Sequence, residues 1–129
     1  MSRQNISSGA PWEDKVGYSR AVRIGNTIEI SGTVALKEGV LVGENDAYLQ
    51  TQRILEIIEE TLTRAGTNVE DVIRTRIFVV NIDRDWEAIG QAHGEVFGRI
   101  KPATSMVEVN KLIAPEYLLE IEATAVIAD

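Results

Sequence analysis

The chain contains no cysteine among its 129 residues, which excludes disulfides, thiolate nucleophiles and cysteine-bound metal. It has one histidine, His93, so a histidine-rich metal site within one chain is excluded too. Neither a metal nor a cofactor is expected. Aromatic residues make up only 5% of the chain, so a core must be built from Ile, Val, Leu and Ala, within a hydrophobic content of 44%. Basic residues are outnumbered 13 to 20, the net charge is −7, and no basic run offsets it. Such a surface repels phosphates over most of its area and argues against nucleic acid as a partner. Met1-Ser2-Arg3-Gln4-Asn5-Ile6 lacks an apolar signal core, and no segment is long and apolar enough to cross a membrane. The expectation is a cytoplasmic protein of one domain, residues 1–129.

What is present is hydrophobic periodicity of two kinds. Residues 1–17 are polar and expected as an N-terminal loop segment. Residues 21–24 and 27–31 read as strands around Gly25-Asn26, a two-residue hairpin signal. Lys37-Glu38-Gly39 predicts another turn. Asn45 or Asp46 caps a helix running to about residue 65, with Thr51, Ile54, Leu55, Ile58, Leu62 and Ala65 on one face. Gly66 suits the left-handed position after it, and Thr67-Asn68-Val69-Glu70 has capping-box spacing for a single turn. Residues 72–80 read as a strand with Ile73, Thr75, Ile77 and Val79 on one face and Arg74, Arg76 and Phe78 on the other. A second helix is predicted over residues 85–97, capped by Asp83 or Asp85, with Trp86, Ile89, His93 and Phe97 as its apolar stripe. Gly90 and Gly94 weaken it by about 1 kcal/mol each relative to Ala.

Two closing strands follow: Thr104-Ser105-Met106-Val107-Glu108 and Leu119-Glu120-Ile121-Glu122-Ala123-Thr124-Ala125-Val126. The fold class is α+β, one mixed sheet with two helices on one face. Glu29, Arg74, Arg76, Met106, Glu108, Glu120 and Glu122 would collect on the other face, as a solvated surface or as a subunit interface with charges paired across chains.

Gly17-Tyr18-Ser19-Arg20-Ala21-Val22, Ile30-Ser31-Gly32-Thr33, Pro102-Ala103-Thr104-Ser105-Met106-Val107-Glu108-Val109 and the Glu120-Ile121-Glu122-Ala123 run together resemble the Rid superfamily, the YjgF-like reactive intermediate deaminases. The resemblance runs from about residue 18 to residue 126. It implies a chorismate-mutase-like architecture and a homotrimer with sheets facing inward and small-metabolite clefts between subunits.

The resemblance also singles out site residues. Deaminating relatives carry an arginine after the Pro-Ala pair, where it clamps the carboxylate of a 2-imino acid. This chain has Thr104 there, with no charge and a short reach; on its own, Thr104 also reads as a β-branched residue suited to a strand. Met106 stands where relatives often have cysteine, and is no nucleophile. Glu120 matches the carboxylate that places the attacking water, the role of a general base. Its alternative is an ion pair with Arg74 or Arg76, and Glu122 on the same face could take either role. Tyr18 matches a cleft tyrosine, and Ser31-Gly32 a Ser-Gly whose backbone approaches the ligand. Gly90 stands where relatives often have asparagine and His93 where many have tyrosine. By itself His93 reads as a core or helix–sheet contact.

The expected function is therefore a Rid-type protein holding a small imine- or enamine-like metabolite, with Glu120 as the catalytic candidate and Tyr18, Ser31, Gly32, Thr104 and Met106 as ligand contacts. Without the arginine, a 2-imino acid should be a poor substrate. The rivals are an authentic 2-imino acid deaminase with its clamp supplied by Arg20 or Arg23, an endoribonuclease or translation inhibitor, and a binding protein without turnover.

Overall fold

The computed structural model describes residues 2–128; Met1 and Asp129, the outer residues of the expected 1–129 domain, lie outside the described residues. In chain order the elements are β1 (Arg3–Ile6), α1 (Pro11–Val16), β2 (Ala21–Ile24), β3 (Thr27–Thr33), β4 (Leu36–Lys37), β5 (Val40–Leu41), α2 (Ala47–Arg64), a 3-10 turn (Val69–Asp71), β6 (Val72–Val79), α3 (Ile82–Phe97), β7 (Ala103–Glu108) and β8 (Leu119–Val126). Six strands form one mixed sheet in the order β1-β2-β3-β8-β6-β7. Every pairing in it is antiparallel except β6 with β7, which α3 joins by a crossover.

The helices lie on one face because their apolar stripes match the apolar rows of the strands. Ile54, Leu55, Ile58 and Leu62 of α2 meet Ile28, Ile30, Ile77, Ile121, Ala123 and Ala125 of the sheet. Ile89 and Phe97 of α3 complete an aliphatic core with a single buried phenyl ring. The expected face of α2 is buried throughout, and its N-cap is Asp46, whose side chain accepts from Leu49 N at 3.0 Å. Gly25 carries the β2–β3 turn at φ 58°, and Glu38 and Gly39 carry the β4–β5 turn. The 3-10 turn forms where expected, but its cap is Asn68, whose side chain accepts from Glu70 N at 2.9 Å, and not the Thr67 that capping-box spacing implies.

Five further expectations are corrected. The N-terminal segment is not a loop: β1 pairs with β2, and α1 runs from Pro11 to a left-handed stop at Gly17. Both elements are too short to show a period, and only Ile6 of β1 is buried. The second helix starts at Ile82, capped by Asn81 rather than by Asp83 or Asp85. Trp86 is 52% exposed; the buried line of α3 passes through Asp85, Ile89 and Ala92. Ile73 leaves the core face to Val72, because an irregularity in the β6–β8 register shifts the strand between Val72 and Arg74. Met106 and Glu108 do not join the charged face. In the parallel β6–β7 pair they lie beside Ile77 and Val79, so they share the helix-covered face. Met106 packs against the core, and Glu108 accepts from Ile82 N at 3.1 Å, at the start of α3.

The open face carries Glu29, Thr124, Glu122, Arg76 and Arg74. Thr124 donates to Glu29 at 2.6 Å, Arg76 pairs with Glu122 at 3.5 Å, and Arg74 donates to Ser105 at 2.8 Å.

Candidate functional site

Between Ile30 and Thr33 strand β3 holds one residue more than β8 does opposite, where Ala123 and Ile121 are the partners. The extra residue makes a bulge of Ser31-Gly32, and bulges re-aim backbone groups out of the ladder. Ser31 is fixed on both sides: its hydroxyl donates to Ser19 O at 2.6 Å, its N–H to Arg20 O at 3.0 Å. Gly32 leaves room for a carboxylate. A Cβ built there would lie 1.8 Å from Oε1 of Glu120.

Glu120 is half-buried over this bulge. Burial pushes its carboxyl above the usual range; the Arg20 guanidinium works against that shift and Glu122 with it. The cation beside Glu120 is thus Arg20, not Arg74 or Arg76. Arg20 Nη2 donates to Gly32 O at 2.5 Å, and its Nε is buried without a partner among the described residues. Tyr18, 38% exposed, lines an open concavity of about 670 Å³ together with Ser31, Glu29, Arg76 and Glu122. That concavity does not include Gly32, Glu120, Thr104 or Met106. The Ser31-Gly32 bulge and Glu120 stand at its rim, where Ser31 is the one of them that lines it.

Thr104 and Met106 stand elsewhere. On edge strand β7 they point to the helix side of the sheet, whereas Glu120, between the core residues Leu119 and Ile121, points to the open side. Thr104 is exposed, and its contacts are neutral: the Thr75 hydroxyl at 2.8 Å and Pro102 O at 3.2 Å. Thr75 in turn contacts His93 Nε2 at 2.9 Å. The His93 ring lies 4.7 Å from that of Phe97, and burial lowers its pKa.

The structure therefore brings Tyr18, Ser31, Gly32 and Glu120 together and separates Thr104 and Met106 from them by the thickness of the sheet. Reasoning from the sequence missed Thr75. Its signal was a lone hydroxyl between Ile73 and Ile77. Arg23 is removed as a clamp, since it is spent on Gly25 O at 2.9 Å and Ala65 O at 2.6 Å, at the end of α2. Among the described residues no three His, Asp or Glu side chains could jointly hold a metal ion.

A family model described as endoribonuclease L-PSP matches residues 10–127. An uncharacterised protein of Streptomyces coelicolor is 36% identical over 122 residues, covering 95% of this chain and 90% of that one. The 3-aminoacrylate deaminase RutC of Acinetobacter baylyi is 36% identical over 112 residues, 84% of this chain and 85% of its own. Among solved structures, a Mycobacterium tuberculosis member of the YjgF/YER057c/UK114 family superposes with a TM-score of 0.88 at 47% identity, covering 98% of this chain and all of that one (100%).

Proposed function

The chain belongs to the YjgF-like Rid family, the endoribonuclease L-PSP family of the matching model, and from that premise we propose that it binds a small imine- or enamine-like metabolite in clefts between the subunits of a homotrimer. One chain supplies Tyr18, the Ser31-Gly32 bulge and Glu120; a neighbour's β7 edge supplies Thr104 and Met106. The observation that carries this reading is the placement of those two groups on opposite faces of one sheet, which a single small ligand on one chain cannot bridge.

In this cleft Glu120 takes a proton from a water that attacks the C=N carbon and passes it to the nitrogen, giving a carbinolamine. It then takes the carbinolamine hydroxyl proton and delivers it to the nitrogen as the C–N bond breaks, leaving a carbonyl and free ammonia or amine. A half-buried carboxyl with a raised pKa suits a group that must both accept and give a proton. A substrate carrying its own carboxylate meets a neutral hydroxyl at Thr104 and a carboxylate at Glu120, so it binds poorly.

The reading in which another cation replaces the clamp narrows to Arg20, which lies beside Glu120. The ribonuclease activity named in the family model's description would need an acidic chain to hold phosphates with one half-buried histidine. Glu120→Ala tests the proposal: ligand binding should fall while the assembly survives. Loss of the assembly with no separable binding defect would instead make Glu120 a structural partner of Arg20.

A further inference from the structure

The exposed Thr104 hydroxyl is one end of a hydrogen-bonded line that runs through the sheet edge into α3. Thr104 Oγ1 lies 2.8 Å from Thr75 Oγ1, and Thr75 Oγ1 lies 2.9 Å from His93 Nε2. Thr75 is fully buried on the row it shares with Ile77 and Val79. A buried hydroxyl left unpaired is costly, and valine would fill the same space without that liability. Here the hydroxyl has two partners, one of them facing solvent.

The direction of the line follows from counting protons. Each threonine has one, and Pro102 O, 3.2 Å from Thr104, can only accept. If His93 Nε2 carries a proton, it donates to Thr75, Thr75 donates to Thr104, and Thr104 donates to Pro102; all three contacts are satisfied. If Nε2 is bare, the order reverses, and Thr104 spends its proton on Thr75. Its contact with Pro102 then sets two acceptors face to face. The first order is the one the distances support.

We propose that His93 is a positioning residue which, through Thr75, fixes Thr104 as a hydrogen-bond donor toward a neutral carbonyl oxygen of the ligand, such as an amide or ester beside the C=N group. This rests on the cleft proposed above. The ligand's oxygen replaces Pro102 O as acceptor. A neutral donor suits a neutral acceptor; a carboxylate would find no opposite charge on Thr104, Thr75 or Pro102.

His93 is the only histidine, so the imidazole nitrogen signals of the labelled full-length protein belong to it alone. Near neutral pH, nitrogen NMR should show Nε2 protonated and Nδ1 bare. The opposite tautomer overturns the relay. Pyruvamide and pyruvate, differing in a neutral amide against a carboxylate, serve as binding probes in the same spectra. Wild type should bind pyruvamide more tightly. Thr75→Val, which keeps shape and removes the relay, should weaken pyruvamide by about two- to tenfold, the value of one neutral hydrogen bond, and leave pyruvate unchanged. His93→Phe should repeat that pattern. Equal affinity for the two probes, or no effect of Thr75→Val, overturns the donor assignment. A protonated Nε2 with neither probe shifting Tyr18 or Gly32 overturns the cleft and the ligand half of this proposal. A bare Nε2 with pyruvamide bound overturns the relay and leaves the cleft standing.

Discussion

Gly32 and Glu120 occupy one space: a methyl group on residue 32 would lie 1.8 Å from Glu120 Oε1 and 2.8 Å from its carboxyl carbon. Gly32→Ala should therefore expel the Glu120 side chain and lower stability by about 1–3 kcal/mol, the usual cost of overpacking. Combining it with Glu120→Ala should recover much of that loss. Urea unfolding of the two single variants and the double variant measures the coupling, and strict additivity would show that the clash is relieved elsewhere.

The raised pKa of Glu120 sets a sign for stability against pH. A carboxyl whose folded pKa lies above its unfolded value favours folding in its protonated form. Its contribution is present below the unfolded pKa and is lost as pH rises through the folded one. Glu120→Gln removes that loss, so the variant should gain stability relative to wild type at neutral pH and lose the advantage in acid below the carboxyl range. Thermal melts across that window check it. A Glu120→Gln variant less stable at neutral pH would mean that Arg20 outweighs burial.

Assembly is a separate expectation. The open sheet face pairs some of its charges within the chain, as Arg76 does with Glu122, yet keeps a wide concavity beside them. Light scattering across a size-exclusion peak should give about three times the 14.2 kDa chain mass. A monomer at every concentration would remove the inter-subunit cleft.

The strongly periodic parts of the chain announced themselves. The α2 face from Thr51 to Ala65, the Gly25 hairpin and strand β8 stand as their patterns predict. What failed was phase and shortness. Alternation in β7 says that Met106 and Glu108 share a face, but not which one, because that depends on parallel register with β6, set by the α3 crossover. The charge on Glu108 suggested the open face, whereas it lies exposed on the helix side, its carboxylate accepting from Ile82 N at the start of α3. The irregularity at Val72 and Arg74 moved Ile73 outward, and no local pattern marks it. In the site, the Ser31-Gly32 and Glu120 match led to groups that do meet. The Thr104–Thr75–His93 line joins residues 29 and 18 positions apart on three elements, a juxtaposition only the fold creates.

Thr104→Arg restores a guanidinium at the β7 edge. It should gain binding of a 2-keto acid such as pyruvate, even with Gly90 and Met106 left as they are. Isothermal titration against wild type reads this directly; no gain would mean that the β7 edge does not face the ligand.

The most direct test of the central claim, a Rid-type cleft without its carboxylate clamp, is hydrolysis of 2-iminobutyrate generated in place by an amino-acid oxidase. An arginine fork gives two charge-assisted hydrogen bonds worth roughly 1.5–3 kcal/mol each, so its absence lowers turnover by on the order of a hundredfold to ten-thousandfold. Wild type should add little to the rate without enzyme. Rapid ammonia release by wild type, at the rate of arginine-bearing relatives, would contradict the account and assign the clamp to Arg20.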